Sequence, residues 1–486
     1  MPLPTRDLTA VTAPAAPVAA PLREQALAVL LSDDLAAVVA LVCWRDGDDV
    51  VVADARGRSR LAPDGTTTAV SGRDPVADQD PYGEADDCYP FAAVRLHSLF
   101  SDPRAPDLAV VHRGDHDWTD RGGHRGEHGS LNAPQSRAPL LLSGAGVAAR
   151  GTVDGVARTV DVAATLAALC GASYEGMDGR PVPHVQPGAR FVVGLLWDGA
   201  PHADLLALAA SGVLPHVARL LVRGCALRGG AVAEFPSVTL VNHTCALTGV
   251  GPGRHGIVHN AYYDRATGEQ VLPNSTEWWH RATELLRPGT TTVFQRVAAA
   301  DPAAFTACVD EPVDAGAGYS TFDLIRASAG GTGTGSLITS LPSAEDDPLA
   351  TVEHVRASAD YRWASQVDAA GLEQVLGLWR AAEPPRLTWW NTTLTDSAHH
   401  AGGRGSSIAR AGLVDSDRRL GVWLDLVEER GLLDDVVVLL TADHGMQSAD
   451  PARTGDWTPA LTAAGVPFRD EAAGFLYLGQ DAVPAP

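Results

Sequence analysis

None of the 486 residues is a lysine, so all 37 strongly basic side chains are arginine. That absence excludes Schiff-base chemistry and a P-loop, and leaves every cationic role to arginine, histidine or bound metal. Cysteine is scarce and scattered: Cys43, Cys88, Cys170, Cys225, Cys245 and Cys308 stand singly, with no C-x-x-C pair. The reading that fits is buried free thiols in a reducing cytoplasm. Positive charge is outweighed, with a formal net charge of −22. This balance argues against a nucleic-acid polymer or an anionic membrane surface as partner. No apolar run approaches the length of a membrane span. Met1 to Leu22 is rich in Ala, Pro and Thr and lacks the cationic start and apolar core of a signal peptide. The expectation is a flexible leader on a soluble, cytoplasmic protein with no membrane partner. Its oligomeric state is left open.

What is present is a long chain with alternating apolar patterns, enough for one large α/β domain with insertions or for two domains. A short helical pattern and β-rich runs (Ala37 to Val42, Asp49 to Ala53, Asp107 to Val111) precede a polar, His- and Gly-rich segment, Asp115 to Ser130. A buried-strand run follows from Ala138 to Gly144, then helical spacing from Val160 to Leu169 and a linker-like stretch, Tyr174 to Ala189. From Arg190 onward strands and helices alternate, as in a mainly parallel sheet with helices on both faces. Leu205 to Val222 and Ala411 to Glu429 have amphipathic helical spacing. Between about 265 and 386 the pattern weakens into aromatics and a Gly/Thr-rich stretch, Gly330 to Gly335, which reads as a cap insertion.

Four motifs carry chemistry. The apolar run Val436 to Leu440 ends in Thr441-Ala442-Asp443-His444-Gly445, and Phe191 to Trp197 ends in Asp198-Gly199. Strands ending this way deliver metal ligands at the carboxyl edge of a sheet. Taken alone, the first is equally an Asp capping the next helix with a surface His beside it. Pro236-Ser237-Val238-Thr239 leads into a helix-compatible run with Asn242-His243, followed by Thr248-Gly249 and His255-Gly256-Ile257-Val258-His259-Asn260. A helix starting there would offer Thr239 and its N-terminus to an anion, although an ordinary N-cap threonine has the same pattern. Asn242, one turn on, could turn its amide toward a phosphoryl oxygen or simply cap. The fourth motif is Asp396-Ser397-Ala398-His399-His400, after the apolar stretch Leu387 to Trp390.

In chain order these motifs resemble the signature of the alkaline phosphatase superfamily, and most closely its type I phosphodiesterase/nucleotide pyrophosphatase branch. The resemblance implies a three-layer α/β fold and two divalent metal ions, most simply Zn2+, with Mn2+ or Fe as other occupants. It implies Thr239 as nucleophile and Asn242 as transition-state donor. One ion would be held by Asp198, Asp443, His444 and the Thr239 oxygen. The other would be held by Asp396, His400 and a further histidine. The family's spacing, Asp-x-x-x-His, favours His400, with His399 as the alternative. His243 and His255 are read as structural, tied into backbone hydrogen bonds.

The family places its last ligand histidine after Asp-His-Gly, yet no histidine follows His444. Upstream, however, Gly126-Glu127-His128-Gly129-Ser130 precedes the strand from Pro139 to Leu142, then Asp161-Val162-Ala163-Ala164-Thr165-Leu166 and Asp178-Gly179-Arg180. That order resembles the superfamily's carboxy-terminal portion. The expectation is therefore a circularly permuted chain with His128 as the missing ligand. Residues 1–22 would be the leader, 23–185 the permuted segment and 186–486 the nucleophile and metal-site core, together one catalytic domain. The implied reaction is hydrolysis of a small phosphodiester or nucleotide-like phosphoanhydride through a phospho-threonine. Carbon–phosphorus cleavage of the phosphonoacetate hydrolase type, or phosphomonoester hydrolysis, is the alternative enzyme reading, and a metal-stabilised binding protein the non-catalytic one. Tyr262, Tyr263, Trp278 and Trp279 are candidates to stack on a base.

Overall fold

The computed structural model describes residues 20–117, 123–275, 278–328 and 341–479. Its core is an eight-stranded sheet whose central strands read as apolar runs because both faces are covered. In order across the sheet these are Gly151–Val153, Gly224–Leu227, Leu140–Gly144, Val436–Thr441, Phe191–Trp197, Leu387–Thr392, Thr306–Val309 and Tyr319–Ser320. Every neighbouring pair is parallel except the two formed by Leu140–Gly144, which runs antiparallel to both its neighbours. Two groups of helices pack around it. Val160–Leu169 touches Thr239–Thr248 and Val293–Ala300, while Ala359–Arg380 touches Leu394–Gly402 and Ser407–Glu429. One continuous apolar cluster joins the sheet to these helices, with Leu140, Val192, Trp389, Trp423 and Leu440 buried in it.

A second sheet was not anticipated from the sequence. Seven antiparallel strands run in the order Phe468–Glu471, Phe475–Leu478, Leu108–His112, Val39–Asp46, Asp49–Asp54, Gly57–Leu61, Thr67–Gly72. Successive side chains of Val39–Asp46 alternate between its faces: Leu41 and Cys43 enter one apolar cluster, Val42 and Trp44 another. The first cluster takes in Tyr262, Val271 and Leu285, the second Leu27 and Leu30 of the helix Ala20–Leu30 together with Trp457 and Leu461. Strands far apart in sequence meet here, with Phe475 paired to Ala109 and Leu476 to Leu108. The division expected from the sequence made no provision for this antiparallel sheet.

Three further expectations change. The spacing from Leu205 to Val222 forms two helices, His202–Ala210 and Pro215–Val222, because Gly212 takes a left-handed φ of 77° and Pro215 starts a new first turn. The segment 265–386 is not purely a cap. Thr306–Val309 pairs with Leu387–Thr392 inside the central sheet, and Ala359–Arg380 packs against that strand. The leader expected over 1–22 falls mostly outside the described residues, and Ala20 already begins a helix. Gly330 to Gly335 also falls outside them. All six cysteines are unpaired, and only Cys170 is not fully buried. Among the described residues no single helix is long and apolar enough to cross a bilayer.

Candidate metal and phosphoryl-transfer site

Register brings the first carboxylates together. Leu196 pairs with Thr441 and Trp197 with Thr392, so Asp198, Asp443 and the start of the helix Leu394–Gly402 emerge side by side at the carboxyl edge of three parallel strands. That edge is where open α/β sheets collect their functional groups. Gly199 makes the approach possible. Its φ is +64°, and a Cβ there would lie 2.8 Å from Asp396 Oδ1 and 3.2 Å from the Asp396 Cα. The Thr395 hydroxyl donates to the Asp198 carbonyl, pinning the helix to the strand end. The Gly199 N–H donates to Asp443 Oδ1 at 3.0 Å and leaves Oδ2 facing the site.

Three histidines are oriented the same way, with Nδ1 turned to a backbone carbonyl and Nε2 to the carboxylates. His400 Nδ1 lies 2.7 Å from the Gly126 carbonyl, His128 Nδ1 3.0 Å from that of Ser237, and His444 Nδ1 2.9 Å from that of Gly445. Such a bond fixes the tautomer and aims the other nitrogen, the usual arrangement of a metal-bound imidazole. His400 Nε2 is then 3.3 Å and His128 Nε2 3.7 Å from Asp396 Oδ1. His444 Nε2 is 3.0 Å from Asp443 Oδ2 and 3.6 Å from Asp198 Oδ1. The His128 and His444 rings stack with centroids 3.6 Å apart. His128 arrives through a short antiparallel pairing of Gly126–Glu127 with Gln447–Ser448, the segment just after His444. Gly126 is needed there, because a Cβ would collide with the His399 carbonyl.

These donors form overlapping groups: His128, Asp396 and His400; Asp198, Asp396 and His444; and Asp198, His243 and Asp443. Asp198 Oδ1, Asp396 Oδ1, Asp443 Oδ2 and His444 Nε2 are buried without a hydrogen-bond partner. Buried polar atoms cost free energy when left unmatched, and clustered oxygen and imidazole donors in that condition fit divalent cations. Without such ions the carboxylates repel. Burial, then the Asp443 and Asp396 charges, hold the Asp198 carboxyl well above its usual range. Burial also pushes Asp396 up, but His400, ahead of His128 and His444, outweighs it and leaves that carboxyl well below the usual range. His400 in turn rises to about 9: burial lowers it, and Asp396 more than compensates.

Thr239 opens the helix Thr239–Thr248, with Val238 extended before it. It lies four residues before His243, so the two share a helix face. His243 contacts the site directly, with Nε2 3.5 Å from Asp443 Oδ2 and 3.9 Å from Asp198 Oδ2. The Thr239 hydroxyl makes no hydrogen bond to protein among the described residues.

Asn242 does not match its expected role. Its Oδ1 accepts from the Glu234 N–H at 2.7 Å and its Nδ2 reaches the carbonyls of Glu234, Pro236 and Val238, so both ends of the amide are consumed in tying the preceding loop to the helix. The residue missed is Asn260. Its Oδ1 accepts from the Leu240 N–H at 3.0 Å, which holds the amide beside Thr239, and its Nδ2 donates to no protein group among the described residues. His243 was also misread: its Nδ1 lies 2.8 Å from Glu311 Oε2, a side chain rather than the backbone. His255 does match a structural role, bound to Cys245 Sγ and the Ile257 N–H. His399 Nδ1 meets the Thr395 carbonyl, and it is His400 that faces Asp396. Tyr262 is buried in the core, Tyr263 packs on Tyr477, and Trp279 stacks on Trp363.

A sheet edge that gathers paired carboxylates, imidazoles and a helix-opening threonine fits the phosphoric ester hydrolases of α/β fold. The chain belongs to the type I phosphodiesterase/nucleotide pyrophosphatase family, whose model matches residues 192–480. That match spans Asp198, Thr239, Asp396, His400, Asp443 and His444, and begins after His128. The chain is 38% identical over 56 residues to an uncharacterized pyrophosphatase/phosphodiesterase of Schizosaccharomyces pombe, covering 10% of this chain and 12% of that protein. It is 31% identical over 102 residues to alkaline phosphatase PafA of Elizabethkingia meningoseptica, covering 21% of this chain and 19% of that one. The matches thus span less than a fifth of each curated relative. Among solved structures, murine ectonucleotide pyrophosphatase/phosphodiesterase 5 is 17% identical, with 53% and 57% of the two chains covered and a TM-score of 0.36. Phosphonoacetate hydrolase from Sinorhizobium meliloti 1021 is 24% identical, with 55% and 59% covered and a TM-score of 0.35.

Proposed function

We propose that the protein is a metal-dependent hydrolase of small phosphodiesters or nucleotide-like phosphoanhydrides that works through a phospho-threonine at Thr239. The observation carrying this reading is the convergence of buried, unpartnered carboxylate and imidazole atoms at one sheet edge. Asp198, Asp443 and His444, with the Thr239 oxygen, would hold one ion; Asp396, His400 and His128 would hold the other. Their mixture of oxygen and imidazole donors suits zinc, with manganese or iron as other occupants. Bound ions would neutralise the substrate, lower the pKa of the attacking hydroxyl and stabilise the leaving oxygen.

The protein's own groups supply position and donors. Thr239 Oγ1 gives up its proton and attacks phosphorus, the bond to the leaving oxygen breaks, and that oxygen takes up a proton and departs as the alcohol of a diester or the phosphate of an anhydride. Water then attacks phosphorus and the Thr239 oxygen leaves, restoring the hydroxyl. The Thr239 N–H at the start of the helix and the Asn260 Nδ2 donate to the nonbridging oxygens as charge develops there. In a chain of net charge −22, bound ions at this pocket would also be what admits an anionic substrate.

The same reading takes the chain as a circular permutant. His128 and the strand Leu140–Gly144 precede the nucleophile in sequence yet neighbour Asp396 and Val436–Thr441, and Leu108–His112 pairs with the far downstream strand Phe475–Leu478. The direct test is hydrolysis of bis-p-nitrophenyl phosphate by metal-replete protein, with p-nitrophenyl phosphate and phosphonoacetate alongside. Diester turnover should dominate, vanish on chelation and return with zinc or manganese. Thr239→Ala should lower it by on the order of 10³-fold or more. Near-wild-type turnover in that variant would rule out the covalent mechanism, and preference for phosphonoacetate would reassign the substrate class.

A further inference from the structure

His243 lies fully inside the protein, with 1% of its surface exposed, and its Nε2 has no hydrogen-bond partner. It faces two carboxylate oxygens, Asp443 Oδ2 at 3.5 Å and Asp198 Oδ2 at 3.9 Å. Donor atoms bound tetrahedrally at zinc distances are about 3.3 Å apart, by simple geometry from bond lengths of about 2.0–2.1 Å. The His243 contacts are thus longer than good hydrogen bonds and match the spacing of ligands around a common ion. The ligands proposed above show similar spacing, 3.3 Å between His400 and Asp396 and 3.6 Å between His444 and Asp198.

Behind the ring stands Glu311. Its Oε2 lies 2.8 Å from His243 Nδ1 and accepts from the Trp389 indole N–H at 3.1 Å, while its Oε1 accepts from the Val313 N–H at 3.0 Å. Glu311 is wholly buried, at the end of Thr306–Val309, so nothing in solvent competes for it. A buried carboxylate against one imidazole nitrogen, with the other nitrogen aimed at acidic oxygens, is the carboxylate–histidine–metal arrangement. The other three histidines rely on neutral carbonyls for the same purpose, so His243 alone has an anionic support that raises its basicity as a ligand.

We infer that His243, backed by Glu311, is a further nitrogen ligand of the ion held by Asp198 and Asp443, which rests on the two-metal reading above. Asp443 Oδ2 would then stand between two imidazoles, His444 on one side and His243 on the other. The charge of Glu311 would be felt at the ion next to the nucleophile.

Metal affinity tests this independently of turnover. Wild-type protein, His243→Ala and Glu311→Gln are each titrated with zinc against a competing chelator and, separately, with cobalt(II) followed by its visible spectrum. Wild type should bind two ions. His243→Ala should bind one of them about 10–100-fold more weakly, with an altered cobalt spectrum for that equivalent and an unchanged one for the other. Glu311→Gln preserves the side-chain shape and should give a smaller weakening of the same ion. It keeps the test decisive if His243→Ala misfolds. Two ions bound by wild type, with unchanged affinities and spectra in the folded variants, would overturn this inference alone. A wild type that retains no ion would overturn the two-metal reading and this inference with it.

Discussion

At Asn242 the amide oxygen and nitrogen are spent on Glu234, Pro236 and Val238, whereas at Asn260 only the oxygen is engaged. The two residues should therefore separate in mutagenesis. Asn242→Ala leaves a buried N–H and three buried carbonyls without that partner and should cost about 2–3 kcal/mol in urea unfolding, while kcat/KM of the folded fraction stays close to wild type. Asn260→Ala should cost about 1 kcal/mol or less but lower kcat/KM for a diester on the order of 100-fold, the loss expected for one donor to a developing oxyanion. The reverse pattern would return the donor role to Asn242. Strand-end residues such as Asp198 and Asp443 were legible because an apolar run fixes where its last residue points. His243 and Asn260 were not. What defines them are a carboxylate 68 positions further on for one and a backbone N–H 20 positions back for the other, and no local pattern announces either.

Among the elements, the central strands were readable because burial on both faces leaves long apolar runs, as in Phe191–Trp197 and Val436–Thr441. Thr306–Val309 is four residues long and opens on a threonine, and was lost in the segment taken for a cap. The antiparallel sheet was only half visible: its amino-terminal strands stood out, but their partners lie near the other chain end. Its strand Phe468–Glu471 carries Asp470, which burial pushes up to about 7 despite hydrogen bonds from Gly474 and Trp457. A carboxyl raised when folded stabilises below its unfolded pKa of about 3.9, and that contribution is lost as pH rises through the folded value. Stability should thus fall between about pH 4 and 7 with a slope of up to one proton attributable to this group. Thermal unfolding across that range should show a flatter profile for Asp470→Asn. An identical slope in the variant would assign the pH dependence elsewhere.

Over the whole molecule, the first and last described segments run close together: Gln25 Nε2 donates to the Ala464 carbonyl, and a Cβ at Gly479 would touch Leu22. Close ends make a change of chain order tolerable. Joining residue 479 to residue 20 through a short Gly/Ser linker and opening the exposed Pro187-Gly188 bond should give a soluble protein with diester turnover within about tenfold of wild type. Loss of folding in that rearranged chain would count against the permuted reading. The site draws on both halves of the sequence, and the central claim is that together they hold two ions. Anomalous diffraction at the zinc edge from zinc-loaded crystals tests that claim most directly. The account predicts two peaks, one among Asp198, Asp443 and His444 and the other among Asp396, His400 and His128, with His128 Nε2 about 2.0–2.1 Å from its ion. A single peak, or two peaks with His128 bound to neither, would contradict it.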